Sequence, residues 1–146
     1  MCKVITFILS LIAVVASISS HSEASAQSYS NKIMIYDFWA SWCESCVKNL
    51  KKLGQSFPEE ANQKLKLVSI DDSEADAKEI LSSEELQSYQ VLQKGMVWDP
   101  KGKLQRKFQV ERVPTIIAVD GNGRVVFRHE GLLTSCLLYT SDAADE

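Results

Sequence analysis

The chain has 146 residues and a mass of 16.3 kDa, with 45% apolar and 24% charged residues. That is the composition of one globular domain; it excludes a disordered or collagen-like chain and leaves no room for a second full domain. The 16 Lys+Arg against 19 Asp+Glu leave a net charge of −3, so no basic excess exists to attract nucleic acid.

Both ends stand apart from the rest. Met1–Ala26 carries Lys3, an apolar run from Val4 to Ile18, the polar stretch SSHSE, and small residues Ala24-Ser25-Ala26 before Gln27. This is the layout of a secretory signal cleaved after Ala26; as a membrane anchor, the run falls short of the roughly 20 residues that span a bilayer. The last stretch, Cys136–Glu146 (CLLYTSDAADE), matches a translated transposase sequencing adapter. Those residues are expected not to be natural protein, with the natural sequence departing after about Ser135. Residues 27–135 are then the domain, and of the 4 cysteines only Cys43 and Cys46 lie within it. A disulfide between residues so close closes too small a loop to staple a fold, so this Cys-x-x-Cys points to chemistry rather than to structure.

Lys32–Trp39 (KIMIYDFW) is an apolar, β-branched and aromatic run of strand length, which predicts a strand buried on both faces. After it, Val47, Leu50, Leu53 and Phe57 recur at helical spacing from Cys46 onward, and Pro58 closes the helix. Leu65–Ile70 (LKLVSI) is a second strand. Ser73–Leu92 is polar and rich in Glu and Ala; Ser73…Asp76 and Ser82…Glu85 resemble helix starts, predicting one kinked helix or two short ones. Its acidic stretch, 71–85, reads as a solvated helix face. Gly95–Asp99 predicts a short strand, Asp99-Pro100-Lys101-Gly102 a turn, and Leu104–Val110 a short helix. Thr115–Val119 and Arg124–His129 flank Asp120-Gly121-Asn122-Gly123, a strong hairpin signal. Early strand–helix alternation followed by a hairpin predicts an α/β fold: a central mixed β-sheet flanked by helices on both faces.

The pair Cys43-Glu44-Ser45-Cys46 falls where the buried strand turns into a helix. At a helix N-terminus the unpaired N–H groups and the dipole favour thiolate over thiol at Cys43, while Cys46 lies deeper. A Cys43 thiolate there would open a substrate disulfide, and Cys46 would then resolve the mixed disulfide. Two thiolates without a third ligand make a weak metal site, and His21 and His129 are too scattered to complete one, so no metal is expected.

At this point DFWASWCESC resembles the active-site stretch of the thioredoxin superfamily, and Val113-Pro114-Thr115 resembles its cis-proline loop. Export, and the residues inserted at 73–98, bring the chain nearest to the TlpA/ResA-like exported reductases. The resemblance implies a thioredoxin-like fold with an inserted helix–strand segment, Cys43 as nucleophile and Cys46 as resolving thiol. It implies that Asp37, in an apolar run that should raise its pKa, accepts the proton of the resolving thiol. It also implies a cis Pro114, which places the Val113 backbone, with Thr115, beside Cys43 to pair with an extended substrate, and Trp42 and Glu44 flanking the disulfide. The activity implied is extracytoplasmic, in the periplasm or on the outer face of the membrane. It is reduction of protein disulfides, c-type cytochrome apoproteins among them, by a monomer. A membrane electron-donor protein would recharge it, and no cofactor beyond the redox-active disulfide is needed.

The sequence departs from that family in three places. Ser45 stands where Pro is common, and Glu44 adds a negative charge beside Cys43 that opposes the thiolate. Only a short segment precedes Lys32 where an extra hairpin is usual. The terminal helix is truncated by the adapter, leaving one sheet face without cover. Two other uses of the fold are weaker: a binding protein or metallochaperone on the same cysteines, and a peroxidase, which would need Thr where Ala40 stands.

Overall fold

The computed structural model describes residues 33–60 and 64–134. The signal segment 1–26 and the adapter-like segment 136–146 lie outside the described residues. In chain order the elements are β1 (Met34–Trp39), α1 (Glu44–Ser56), β2 (Leu65–Ser69), α2 (Glu74–Leu81), α3 (Gln90–Gly95), β3 (Met96–Trp98), α4 (Lys103–Lys107), β4 (Thr115–Val119) and β5 (Val125–Glu130). One five-stranded sheet results, in the order β3-β2-β1-β4-β5. β2 runs parallel to β1 and β3 parallel to β2, whereas β4 is antiparallel to β1 and β5 to β4. This is the expected mixed α/β sheet. A strand that returns after a helix can come back parallel, while the four-residue Asp120–Gly123 turn can only reverse the chain.

β1 lies at the centre with residues of both faces in the core, as its largely apolar run predicts, Asp37 being the one charged residue in it. Ile35 and Trp39 join one core with Leu50 and Leu53 of α1, Leu81 of α2, and Val91 and Leu92 of α3. Tyr36 and Phe38 point the other way, into a smaller core with Val68, Phe108, Val110 and Ile117. There Phe108, just beyond α4, sits 4.9 Å from the Tyr36 ring and 6.1 Å from that of Phe38, centroid to centroid. Among the described residues, helices thus cover both faces, unequally: three on one side and the short α4 on the other.

The insertion departs from expectation in detail. Ser73 caps α2, accepting from the Ala75 N–H at 3.2 Å, but Ser82 starts no helix. Residues 82–88 form hydrogen-bonded turns, with the N–H groups of Leu86 and Gln87 both donating to the Ser83 carbonyl. Burying Leu86 completely and laying Tyr89 on α1 takes priority there over helix continuation. α3 instead begins at Gln90 and ends at Gly95, where a Cβ would stand 2.9 Å from the Leu65 carbonyl oxygen. α4 is shorter than expected. Its first turn is held by Asp99, whose carboxylate accepts from the N–H groups of Lys103, Leu104 and Gln105 at 2.7–3.0 Å.

Tyr89 packs so closely on α1 that a Cβ at Gly54 would stand 2.5–2.8 Å from its Cβ and ring atoms. Gly54→Ala should therefore lower stability by about 1–3 kcal/mol through overpacking, measured by urea unfolding. In the background of Tyr89→Ala the same substitution should cost much less, because the ring it strikes is gone.

Candidate active site

β1 ends at Trp39, and the chain turns through Ala40, Ser41 and Trp42 before α1 starts at Glu44. Cys43 is the N-cap of α1: its backbone is extended and its sulfur accepts from the Cys46 N–H at 3.2 Å. The two cysteines are joined as a disulfide across the first turn of the helix, with Cα atoms 5.2 Å apart. Cys46 is fully buried, while Cys43 keeps 8% of its surface exposed. That asymmetry follows from position, since the cap lies at the helix mouth and the third residue of the helix faces the core.

Glu44 projects into solvent and pairs with Lys48 one turn along, Nζ to Oε1 2.6 Å. The Lys48 hydrogen bond and charge pull the Glu44 carboxyl below its ordinary range. The negative charge expected to oppose a Cys43 thiolate is thus partly cancelled by a cation on the same helix face, though so exposed a pair is weak. Trp42 is 71% exposed, a large apolar surface beside the disulfide.

Asp37 is fully buried on β1, and among the described residues neither of its carboxylate oxygens has a hydrogen-bond partner, nor has the buried Trp39 Nε1. Loss of hydration pushes the Asp37 carboxyl well above its ordinary value. Strand alternation puts Asp37 on the same face as Ile35 and Trp39, under the helix that carries Cys46.

The Val113–Pro114 peptide bond is cis. Pro114 and Thr115 are buried, and the Thr115 hydroxyl donates to the Arg112 carbonyl at 2.7 Å, closing the loop on itself. Val113 packs against the core that contains Cys43 and Cys46. The loop also holds the chain beyond β5, because the Gly131 N–H donates to the Pro114 carbonyl at 2.9 Å.

Two buried polar residues that the sequence reading passed over hold this region in place. Asp71 belongs to the acidic stretch expected to be solvated, yet it is only 2% exposed. Its carboxylate accepts from the Ser41 N–H at 2.9 and 3.1 Å, the Ser41 hydroxyl at 2.7 Å and the Ser69 hydroxyl at 2.8 Å. Its carbonyl accepts from Trp98 Nε1 at 2.8 Å. It therefore ties the end of β2 to the turn before Cys43. The expectation of a solvated face holds for α2 apart from Ala77 and Leu81, and fails at Asp71, where the end of β2 meets the end of β1. Asn49, fully buried on α1, donates to the Gly131 carbonyl at 3.0 Å and accepts from the Leu133 N–H at 2.9 Å. It grips the chain after β5 much as a neighbouring strand would. For Asp71 the available signal was its place directly after a strand; Asn49 on the apolar side of α1 was the other.

Among the described residues no group of three or more His, Cys, Asp or Glu side chains is placed to hold a metal ion. The arrangement is suited instead to two-electron exchange between a dithiol and a disulfide, with one sulfur at the mouth and one within.

The family model described as thioredoxin-like matches residues 31–125. No curated protein sequence matches the chain. Many solved structures are similar to it, the following three among them. The thioredoxin domain of a thiol-disulfide oxidoreductase from Bacteroides vulgatus shares 24% identity, with 80% of each chain covered and a TM-score of 0.57. A secreted disulfide oxidoreductase of Mycobacterium tuberculosis, homologous to DsbE of E. coli, shares 18% identity over 78% of this chain and 82% of that one, with a TM-score of 0.57. The exposed lipoprotein thioredoxin Etrx1 of Streptococcus pneumoniae shares 25% identity over 80% of this chain and 87% of its own, also with a TM-score of 0.57. The resemblance to the thioredoxin superfamily is borne out by the family model and by this fold with its Cys43–Cys46 pair. The match over most of the described sheet, with the Cys-x-x-Cys at the head of α1, shows that the chain belongs to the thioredoxin-like family.

Proposed function

We propose that this chain is an extracytoplasmic thiol:disulfide oxidoreductase that reduces disulfides in protein substrates, c-type cytochrome apoproteins among them. The observation that carries the reading is the Cys43–Cys46 disulfide at the N-terminus of α1, with one sulfur at the surface and the other buried. Export is supported by the apolar leader-like segment at 4–18 and by similarity to proteins described as secreted or exposed. Among the described residues no helix is long and apolar enough to cross a membrane.

In the reduced chain, Cys43 is the nucleophile. Its thiolate attacks one sulfur of a substrate disulfide, forming a Cys43–substrate bond and expelling the other sulfur as a thiolate, which takes up a proton. Cys46 then loses its proton and attacks Cys43 Sγ, so that the mixed disulfide breaks, the second substrate thiol leaves, and the chain is left oxidised. Two electrons have passed from the dithiol to the substrate. Asp37 serves as proton acceptor for Cys46: a carboxylate whose proton affinity is raised by burial is a better base near neutral pH than an ordinary one. Trp42 and the backbone of Val113, with Thr115 behind it, supply the surface on which an extended substrate segment lies, and Glu44 borders it. The Cys43–Cys46 disulfide is the only redox group this cycle needs. A membrane electron-donor protein, itself a dithiol, returns the chain to its reduced form by the reverse exchange. The chain acts as a monomer.

Three measurements test this reading. Equilibration with graded dithiol buffers should place the Cys43–Cys46 couple near the about −270 mV of a thioredoxin-type reductant; a value near about −120 mV would make the chain a disulfide donor instead. Cys46→Ser should accumulate a covalent mixed disulfide between Cys43 and substrate, visible by mass spectrometry and released by reductant, whereas Cys43→Ser should trap none. Asp37→Asn tests the buried carboxyl twice. A carboxyl whose pKa is raised in the folded state favours folding most when protonated, so its contribution is complete below the unfolded value of 3.8 and is lost as pH rises through the folded value. The asparagine variant should thus match the parent near pH 3.5 and melt higher at pH 8, by about 5–10 °C if roughly 1 kcal/mol or more of burial cost is relieved. Its turnover at neutral pH should fall about tenfold or more, through a slowed second step.

A further inference from the structure

Ser45 occupies the second position of α1, between the two cysteines, and is half-buried. Its Oγ lies 3.4 Å from Cys43 Sγ, the sulfur that already receives the Cys46 N–H at 3.2 Å. Two donors thus converge on one sulfur atom, one from the backbone and one from a side chain. The helix N-terminus supplies the first whatever the sequence; only a residue with a hydroxyl here supplies the second. The neighbouring charge that would act in the opposite sense, Glu44, is directed to Lys48 at 2.6 Å.

Resting on the oxidoreductase reading above, we propose that the Ser45 hydroxyl is a thiolate donor: after reduction it hydrogen-bonds the Cys43 sulfur and holds it ionised. A hydrogen bond to a charged sulfur is stronger than one to a neutral disulfide sulfur, because the charge assists it. Ser45 therefore stabilises the dithiol form over the disulfide. It raises the fraction of Cys43 ready to attack, and it makes the pair a weaker reductant than the same helix would carry with an apolar residue at this position. No further reactant enters: the proton leaving Cys43 goes to solvent, and the two electrons follow the exchange already described.

The test compares the full chain with Ser45→Ala and Ser45→Thr. With the proteins reduced, the rate of Cys43 alkylation by iodoacetamide is followed against pH, and the cysteines are resolved by peptide mass mapping. In Ser45→Ala the midpoint should move up by about half to one pH unit, so that the thiolate available below the midpoint falls about three- to tenfold, the scale of one hydrogen bond to a charged group. Ser45→Thr, which keeps the hydroxyl, should stay within about twofold of the parent. Above the midpoint, the equilibrium of Ser45→Ala with glutathione should shift toward the disulfide by the same factor. A Ser45→Ala midpoint indistinguishable from the parent would overturn the proposal, and so would a Ser45→Thr variant that follows Ser45→Ala. Alkylation needs only the free thiol. If the parent chain fails to exchange with glutathione, the oxidoreductase reading falls, while the comparison of midpoints still decides the role of Ser45.

Discussion

The site depends on β1 being held from both sides. β2 pairs with it along Ile35–Trp39 and β4 along Met34–Phe38, so the backbone of the strand has no freedom in register. A slip of one residue would exchange its faces, sending Tyr36 and Phe38 toward α1 and Asp37 toward Phe108. The last residue of this strand is where the turn to α1 begins, and the turn places Cys43. The strand's hydrogen bonds thus decide which sulfur caps the helix and which carboxyl lies beneath it. Asp71 extends the constraint past the end of the sheet, because its carboxylate binds both the N–H and the hydroxyl of Ser41. The disulfide is therefore presented by a turn fixed at both ends, by the ladder behind it and by the helix ahead.

This rigidity is bought with buried polar groups of two kinds. Asp71 and Asn49 have their hydrogen bonds met, and each joins segments that would otherwise end loosely: the β1–α1 turn in one case, the chain after β5 in the other. Asp37 is the opposite. Neither oxygen has a partner among the described residues, and burial raises its pKa with no hydrogen bond to offset it. A group that works against stability at neutral pH, in the middle of the central strand, fits the proposed proton acceptor better than a packing role. The two faces of the sheet share the load unequally. The disulfide side has the larger core under α1, α2 and α3, while on the other side Phe108 closes a smaller one. On β5, Val125, Val126 and Phe127 stay exposed at 45%, 58% and 39%, so the sheet thins toward that edge.

The fold class was legible because its signals are local. The run Lys32–Trp39 has the length and the β-branched, aromatic content of a strand covered on both faces, the spacing of Val47, Leu50 and Leu53 is that of one side of a helix, and Asp120-Gly121-Asn122-Gly123 reverses the chain by its own turn chemistry. The Cys43–Cys46 pair and the Val113-Pro114-Thr115 loop carried the family resemblance. The insertion was harder to read. Its helix starts compete with turns, and what settled Ser82–Tyr89 was the burial of Leu86 and the seat of Tyr89 on Gly54, contacts with residues far away in sequence.

By itself, then, the amino-acid sequence determined the elements, their order, the cysteine pair and its place at a helix start, since each depends on spacing within one segment. Tertiary structure decided three things that spacing cannot express. Asp71 is a buried clamp rather than a solvated acid, because β2 ends beside the β1 turn. Asn49 faces the chain beyond β5, some 80 residues away. Ser45, one of several residues that fit between two cysteines, turns its hydroxyl toward Cys43 because the first turn of α1 aims it there. Each is a matter of which groups meet when distant segments or a helical turn close, and that is set by packing and backbone geometry rather than by residue type.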